Sequence, residues 1–333
     1  MTRLSVIIPG FNTPEIWWRR CLNTIRTACG PDDEILCVDD GSNIKPNFLN
    51  DIAKEDSRVK PIFLLKNKGQ AFSRNVALDI AKGEWISFVD SDDEIIPSIY
   101  EKCFDKQEIN CCDIVLYGVR VIWINEHLYK DDIPQNWNTR VLNVEDIKYL
   151  FDGCLFEYTV NRIYRKVFLK NNKIRFDEGI CPGEDTIFNL KCIMANAHYT
   201  FEPSIGYIYY RYYNSSLARY QEKFDESIRI RNNLWREVKK HCGNENVNIP
   251  KLGELSDEEL FFWDIQNDWR YDSPISLADR WKKIIKNRNL LPYYPILIFL
   301  RQIVAYFVRN HLYYRFIRRW KIKNMFTNVK ELK

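Results

Sequence analysis

Histidine is scarce here: four residues, His127, His198, His241 and His311, stand far apart in a chain of 333. None has the spacing of a metal-binding pair or of a nucleophile–base triad, which argues against zinc hydrolysis and triad chemistry. Ten cysteines include no CxxC, and only Cys111 and Cys112 are adjacent. Zinc ribbons and a disulfide framework are therefore not expected; reduced, mostly buried thiols in a cytosolic protein are. No signal peptide is expected, since a strand pattern is reached by Leu4. Glycine-rich phosphate signatures are missing as well. No GxGxxG follows the first apolar run and no GxxxxGK[ST] occurs, which excludes a dinucleotide fingerprint and the phosphate loop of nucleotide hydrolases. There is no internal repeat and no low-complexity tract.

What is present is core-forming sequence. Hydrophobic residues are 46% and charged residues 28% of the chain, the composition of a packed globular protein rather than a disordered one. Aromatics reach 14%, which suits either stacking surfaces or membrane contact. The net charge of +4 is unevenly spread. Residues 280–333 carry 14 Lys/Arg and one acidic residue, Glu331, whereas the preceding chain carries 35 basic and 44 acidic residues. An acidic body with a basic tail points to an anionic partner for the tail.

The first hundred residues alternate short apolar runs with amphipathic stretches. Leu4–Ile8 reads as a strand stopped by Pro9-Gly10, and Glu15–Cys29 as a helix closed by Gly30-Pro31. Ile35–Val38 is a second strand, followed by the turn-forming Asp39-Asp40-Gly41-Ser42. Val59–Leu65 is a third strand. Gln70–Lys82 reads as a helix with Ala71, Val76, Ala77, Ile80 and Ala81 on one face. Trp85–Val89 is a fourth strand that runs straight into Asp90-Ser91-Asp92-Asp93. This cadence predicts an α/β fold: a mostly parallel open sheet with helices on both faces. In such sheets ligands bind beyond the carboxyl ends of the strands, so the turns after strands one, two and four should open onto one edge. Further strands are expected at 113–122, 160–165 and 205–211, and a helix over Glu184–Asn196. From about Phe224 onward the pattern is helical only. The expected division is a catalytic domain over 1–220 and a helical, basic and aromatic region over 221–333.

VDSDD at 89–93 is the strongest single signal. Aspartates two apart in an extended segment point the same way, and hard cations take carboxylate oxygens, few from protein where phosphates supply the rest. Asp92 is the candidate metal ligand, with Asp90 facing a ribose or a metal-bound water. The plainer alternative is an acidic turn capping a helix that starts near Pro97.

Four segments stand in register over about ninety residues: LSVIIPGFN, EILCVDDGS, NKGQAFSRN and GEWISFVDSDD. Together they resemble the family-2 glycosyltransferases, an inverting group with a nucleotide-diphospho-sugar-binding fold of the A type (Rossmann-like). The resemblance covers roughly residues 3–100 and returns weakly at 178–219. It implies a nucleobase pocket at Pro9, Phe11 and Asn12, with Phe11 stacking on the base where the family usually has tyrosine. Asp40 would accept a hydrogen bond from the base N–H, though an Asx-turn explains Asp39 or Asp40 equally well. Asn67, Gly69 and Arg74 would close over the nucleotide, and Asp90 and Ser91 would line its sugar. Gly183-Glu184-Asp185 matches the late acidic motif, with Asp185 as the base that takes the acceptor proton and Glu184 orienting the acceptor or the loop. Helix capping by these acids is the competing reading. Arg211, with Ser216 and Arg219, matches thinly a segment that contacts the diphosphate.

The resemblance implies transfer of a sugar from a nucleotide donor, UDP-linked by preference, with manganese or magnesium, onto a glycan or lipid-linked acceptor of surface polysaccharide synthesis. Two rivals remain. A nucleotidyltransferase of related fold would want a glycine- and arginine-rich loop after strand one, which PGFNTPE does not offer. A non-catalytic membrane-associated scaffold would have no need of Asp90, Asp92 and Asp185. Leu290–Val308 holds one charge, Arg301, and two prolines, too short a run for a span. The tail over 290–323 interleaves Tyr, Phe and Trp with Arg and Lys, which suits a peripheral position on the inner face of an anionic membrane; packing on the catalytic domain is the alternative. No nucleic-acid recognition motif accompanies the charge.

Overall fold

Leu4, Val6 and Ile8 point to one side of the first strand and Ile7 to the other, and both sides are buried. A strand covered on both faces needs no polar alternation, which is why the run reads as continuously apolar. The computed structural model describes residues 2–133, 157–212, 222–241, 264, 267–268, 273–286 and 330–331. Strand β1 (Leu4–Gly10) lies between β2 (Glu34–Asp39) and β4 (Trp85–Phe88), with β3 (Val59–Phe63) outside β2; all these pairs are parallel. Pro9-Gly10 does not stop β1, which pairs Pro9 with Val38 and Gly10 with Asp39. The ladder to β4 ends at Ile7 opposite Phe88, so the amide hydrogen that Pro9 lacks has no partner to lose.

Beyond β4 the sheet becomes mixed. The strands expected late in the chain appear as β6 (Ile114–Trp123), β8 (Arg162–Arg165) and β9 (Tyr199–Arg211). β8 is antiparallel to β4 and β6, β9 is parallel to β6, and β7 (Leu128–Asp132) is antiparallel to β6. The short β5 (Glu94–Ile95) pairs antiparallel with β9. One difference from the sequence pattern is β10 (Lys330–Glu331), which pairs with β7 in a region read as helical only. Two residues are too few to leave a periodic signal.

Helices cover both faces. α1 (Glu15–Ala28), α2 (Phe48–Glu55) and α4 (Ile99–Phe104) bury Trp18, Leu22, Leu49, Ile52 and Tyr100 in one core. α3 (Gln70–Ile80), α5 (Lys166–Asn171), α6 (Glu184–Met194) and α7 (Phe224–His241) build the other around Phe88, Phe176 and Phe188. α7 follows the expected boundary at 220, yet Trp235 and Val238 belong to this second core. Of the face predicted for α3, Ala71, Ala77 and Ala81 are buried, but Ile80 is exposed and the helix also buries Ser73, Arg74 and Asn75. α8 (Leu277–Lys286) is the last helix described; Lys283 pairs there with Asp264 and Asp268. Eight cysteines are described, and six are buried. Residues 290–323 lie outside the described residues, among which no helix is long and apolar enough to cross a membrane.

Candidate active site

The turns after β1, β2 and β4 meet at one sheet edge. The Asp40 amide donates to the Gly10 carbonyl at 2.8 Å, and the Asn12 amide to the Ser42 hydroxyl at 2.8 Å. Asn12 returns the contact by accepting the Asn43 amide at 2.9 Å, while the Thr13 and Ser91 hydroxyls lie 2.8 Å apart. Gly10 sits where these turns are tightest: a Cβ there would come within 2.3 Å of Trp18 and 2.9 Å of Ser91 Oγ. Pro9 is buried behind this edge, whereas Phe11 is 45% exposed and leaves a ring face open above it.

Asp40 is buried, and each of its oxygens accepts one backbone amide, from Lys68 at 2.9 Å and from Gly69 at 2.8 Å. It thereby fixes the loop that enters α3. Gly69 adopts φ +92° at that helix start, a conformation other residues hold only with strain. Asn67, next in the same loop, is exposed. Burial pushes the Asp40 carboxyl above its usual range, against the two amides that favour its charge.

Arg74, one turn into α3, is the centre of the site. Its guanidinium is 1% exposed; Nη2 donates to Asp90 at 2.8 Å and Nη1 to Asp185 at 2.5 Å. Phe176 and Phe88 lie 5.0 and 5.8 Å from its charge centre. One fork thus ties the end of β4 to the start of α6, reaching from Arg74 to Asp185 across 111 positions of the chain. Asp90 also accepts the Gln70 amide at 2.5 Å. On Asp185, Oδ1 is taken by Arg74, and Oδ2 has, among the described residues, a long 3.5 Å contact with the Thr159 amide.

Asp185, Asp90 and Glu184 face this guanidinium, and Asp92 and Asp93 follow Asp90 in the same turn. Burial, then the Asp90 charge, pushes the Asp92 carboxyl up to about 6. Burial, then Asp185, pushes Glu184 up to about 7. Asp90 and Asp93 are also raised by burial. The Arg20 guanidinium grips the Asp92 carbonyl, but the Asp92 carboxylate has no side-chain partner among the described residues. Nor do these residues include three His, Cys, Asp or Glu groups that hold a metal by themselves. An acidic edge with one unpaired carboxylate suits a divalent cation whose remaining ligands come from a bound diphosphate.

The family model described as glycosyl transferase family 2 matches residues 5–172, half of the chain. The chain belongs to glycosyl transferase family 2. It is 30% identical over 237 residues to the glycosyltransferase EpsH of Bacillus subtilis (strain 168), covering 67% of this chain and 65% of that protein. It is 27% identical over 219 residues to the poly(ribitol-phosphate) beta-N-acetylglucosaminyltransferase TarP of Staphylococcus aureus (strain N315), covering 62% of each. The chain therefore spans less than two thirds of the length of either relative. The crystal structure of S. aureus TarS 1–349 in complex with UDP-GlcNAc matches with a TM-score of 0.59 at 19% identity, over 87% of this chain and 81% of that one. That likeness establishes the fold, the A-type architecture of these transferases.

Within this family-2 chain the structure brings together Pro9, Phe11, Asn12, Asp40, Gly69, Arg74, Asp90, Ser91, Asp92, Glu184 and Asp185 along one edge. Arg211 ends β9 opposite Trp123, with its charge 5.4 Å from the Tyr209 ring and acting on the Glu157 carboxyl. Ser216 and Arg219 lie outside the described residues. Sequence reasoning overlooked two groups. Thr159 touches Asp185, and Glu157, two residues before it, is a half-buried acid whose carboxyl is raised by burial against Arg231 and Arg211. Both fall in the stretch without motif signal. Asp93 reads from the sequence as one more residue of an acidic turn. It is fully buried and accepts the Tyr207 hydroxyl at 2.7 Å and the Tyr210 amide at 2.8 Å. The acidic turn does not cap α4; it leads into β5.

Proposed function

We propose that this chain transfers a sugar, with inversion, from a UDP-sugar to a hydroxyl of a glycan or lipid-linked acceptor in surface polysaccharide synthesis. The observation that carries the reading is Arg74 joining Asp90 to Asp185 beside the unpaired Asp92 carboxylate. One residue pair belongs to the donor side of the site and the other to the reacting hydroxyl. Membership of the family and the fold shared with a UDP-GlcNAc-bound relative support the donor class.

In this reading Phe11 stacks on the base. Asp40 meets the base N–H with lone pairs its two amides leave free. Asn12, Asn67 and Gly69 shape the loops around the nucleotide, and Asp90 and Ser91 line its sugar. Asp92 would hold manganese or magnesium, which when bound neutralises the departing diphosphate. Asp185 Oδ2, the oxygen not held by Arg74, takes the proton of the acceptor hydroxyl. The hydroxyl oxygen then bonds to the anomeric carbon from the face opposite the diphosphate. The bond from that carbon to the phosphate oxygen breaks, and its electron pair leaves with UDP. Glu184 orients the acceptor.

Asp185→Asn should keep donor binding and lower kcat about 10²–10⁴-fold, the usual worth of a general base. Glu184→Gln should mainly raise the acceptor KM. A larger kcat loss in Glu184→Gln than in Asp185→Asn would move the base to Glu184. We assign the basic 290–323 segment to the inner face of the membrane. Co-sedimentation of the chain with anionic but not zwitterionic vesicles tests this; indifference to both would overturn it.

A further inference from the structure

We propose that Tyr207, Asp93 and Arg20 form a clamp on the turn between β4 and β5, and that Tyr207 is a positioning residue for the Asp92 carboxylate. The inference rests on the donor-and-cation reading of Asp92 given above and adds residues that no motif assigns.

The turn is held at successive residues. The Asp90 amide donates to the Tyr207 hydroxyl at 3.1 Å, and the same hydroxyl donates to Asp93 at 2.7 Å. A phenol is both donor and acceptor, so one atom pins the residues on either side of Ser91 and Asp92. The Tyr210 amide takes the other Asp93 oxygen at 2.8 Å. From the opposite side Arg20, on α1, donates to the Asp92 carbonyl, pairs with Glu94 at 3.1 Å and lies 4.0 Å over the Tyr210 ring. Pairing of Glu94 with Ile208 and of Ile95 with Tyr207 completes the attachment to β9.

Asp93 and Tyr207 are both fully buried. Burying a carboxylate is costly unless its charge is paired or fully hydrogen-bonded, and the partners of Asp93 here are neutral. An apolar side chain would fill the space at lower cost, so stability alone gives no reason for an acid. What the carboxylate adds is direction: two donors from β9 fix the backbone on which Asp92 stands. A cation site built on one protein carboxylate depends on such support, because the groups that orient a ligand govern affinity nearly as strongly as the ligand does.

The test is Mn²⁺ binding in the presence of UDP, followed by electron paramagnetic resonance, on the full chain and on Tyr207→Phe and Arg20→Met. The Mn²⁺ Kd should rise about tenfold or more in each variant, within the roughly 10–100-fold range for changes to groups that orient a metal ligand. UDP binding without metal should stay within about twofold, and kcat at saturating Mn²⁺ should be near normal while the KM for Mn²⁺ rises. Arg20 is partly exposed, so its variant keeps the test alive should Tyr207→Phe not fold. Folded variants that bind Mn²⁺ as the parent does would overturn the clamp alone. A parent chain that binds no Mn²⁺ with UDP would overturn the donor-and-cation reading and the clamp with it.

Discussion

Arg74→Met removes the buried charge that faces Asp185, Asp90 and Glu184 while keeping an apolar stem against Phe88 and Phe176. Removing one partner of a buried ion pair costs about 3–5 kcal/mol. Here both orphaned carboxylates are partly open to water, Asp90 at 27% and Asp185 at 23%. The cost should therefore fall below that range, to about 2–3 kcal/mol near pH 8. It should shrink on acidification, because carboxyl groups that have lost their counter-charge take up protons and cease to be buried anions. The assay is urea unfolding of parent and variant at about pH 8 and about pH 5, with the difference in free energy compared between the two. A penalty under about 0.5 kcal/mol, or one that is the same at both pH values, would refute the assignment of Arg74 as the compensating charge. Sugar transfer by the variant should be lost at either pH.

Glu184→Gln should stabilise the chain by up to about 2 kcal/mol near pH 8 and by little near pH 4. Burial and Asp185 hold the Glu184 carboxyl at about 7, so the folded protein keeps a proton that the unfolded chain releases, and stability falls as pH rises through that window. Thermal unfolding of parent and variant across pH checks the sign. Glu34 behaves oppositely. Burial pushes its carboxyl up, but Lys60 at 2.5 Å, the Lys82 amide and the Ser5 hydroxyl outweigh burial and hold it below its usual range. Its contribution is complete above the ordinary glutamate pKa and disappears as pH falls through the folded value. Glu34→Gln should cost about 1.5–3 kcal/mol at pH 7 and progressively less towards about pH 3, as read by denaturant unfolding.

Strand ends and turns were legible because both faces of the parallel strands are buried and the polar turns interrupt them sharply. Ile35–Val38 followed by Asp39-Asp40, and Trp85–Val89 followed by Asp90, announce where the chain leaves the sheet, whereas β1 runs on through Pro9-Gly10. Side-chain partnerships were not legible at that level. Arg74 stood in a recognisable segment, yet its burial depends on Asp185 more than a hundred residues later. Ala71, Ala77 and Ala81 are buried as the pattern for α3 predicts, but Ile80 is exposed and Asn75 is buried, because Asn75 exchanges hydrogen bonds with the Phe176 backbone. No periodicity encodes that. Asp93 looked like one more acid in a turn; only the return of β9 beside it, with Tyr207 and Tyr210, gives it partners. Glu157 and Thr159 reach the site from a stretch with no motif at all.

The central claim is that Asp92 binds a divalent cation shared with a nucleoside diphosphate. Isothermal titration of UDP into the parent chain and into Asp92→Ala, each with and without Mn²⁺, tests it most directly. Mn²⁺ should tighten UDP binding to the parent at least about tenfold, a gain of about 1.4 kcal/mol, and should not change binding to Asp92→Ala. Equal tightening in both proteins, or none in the parent, would contradict the claim.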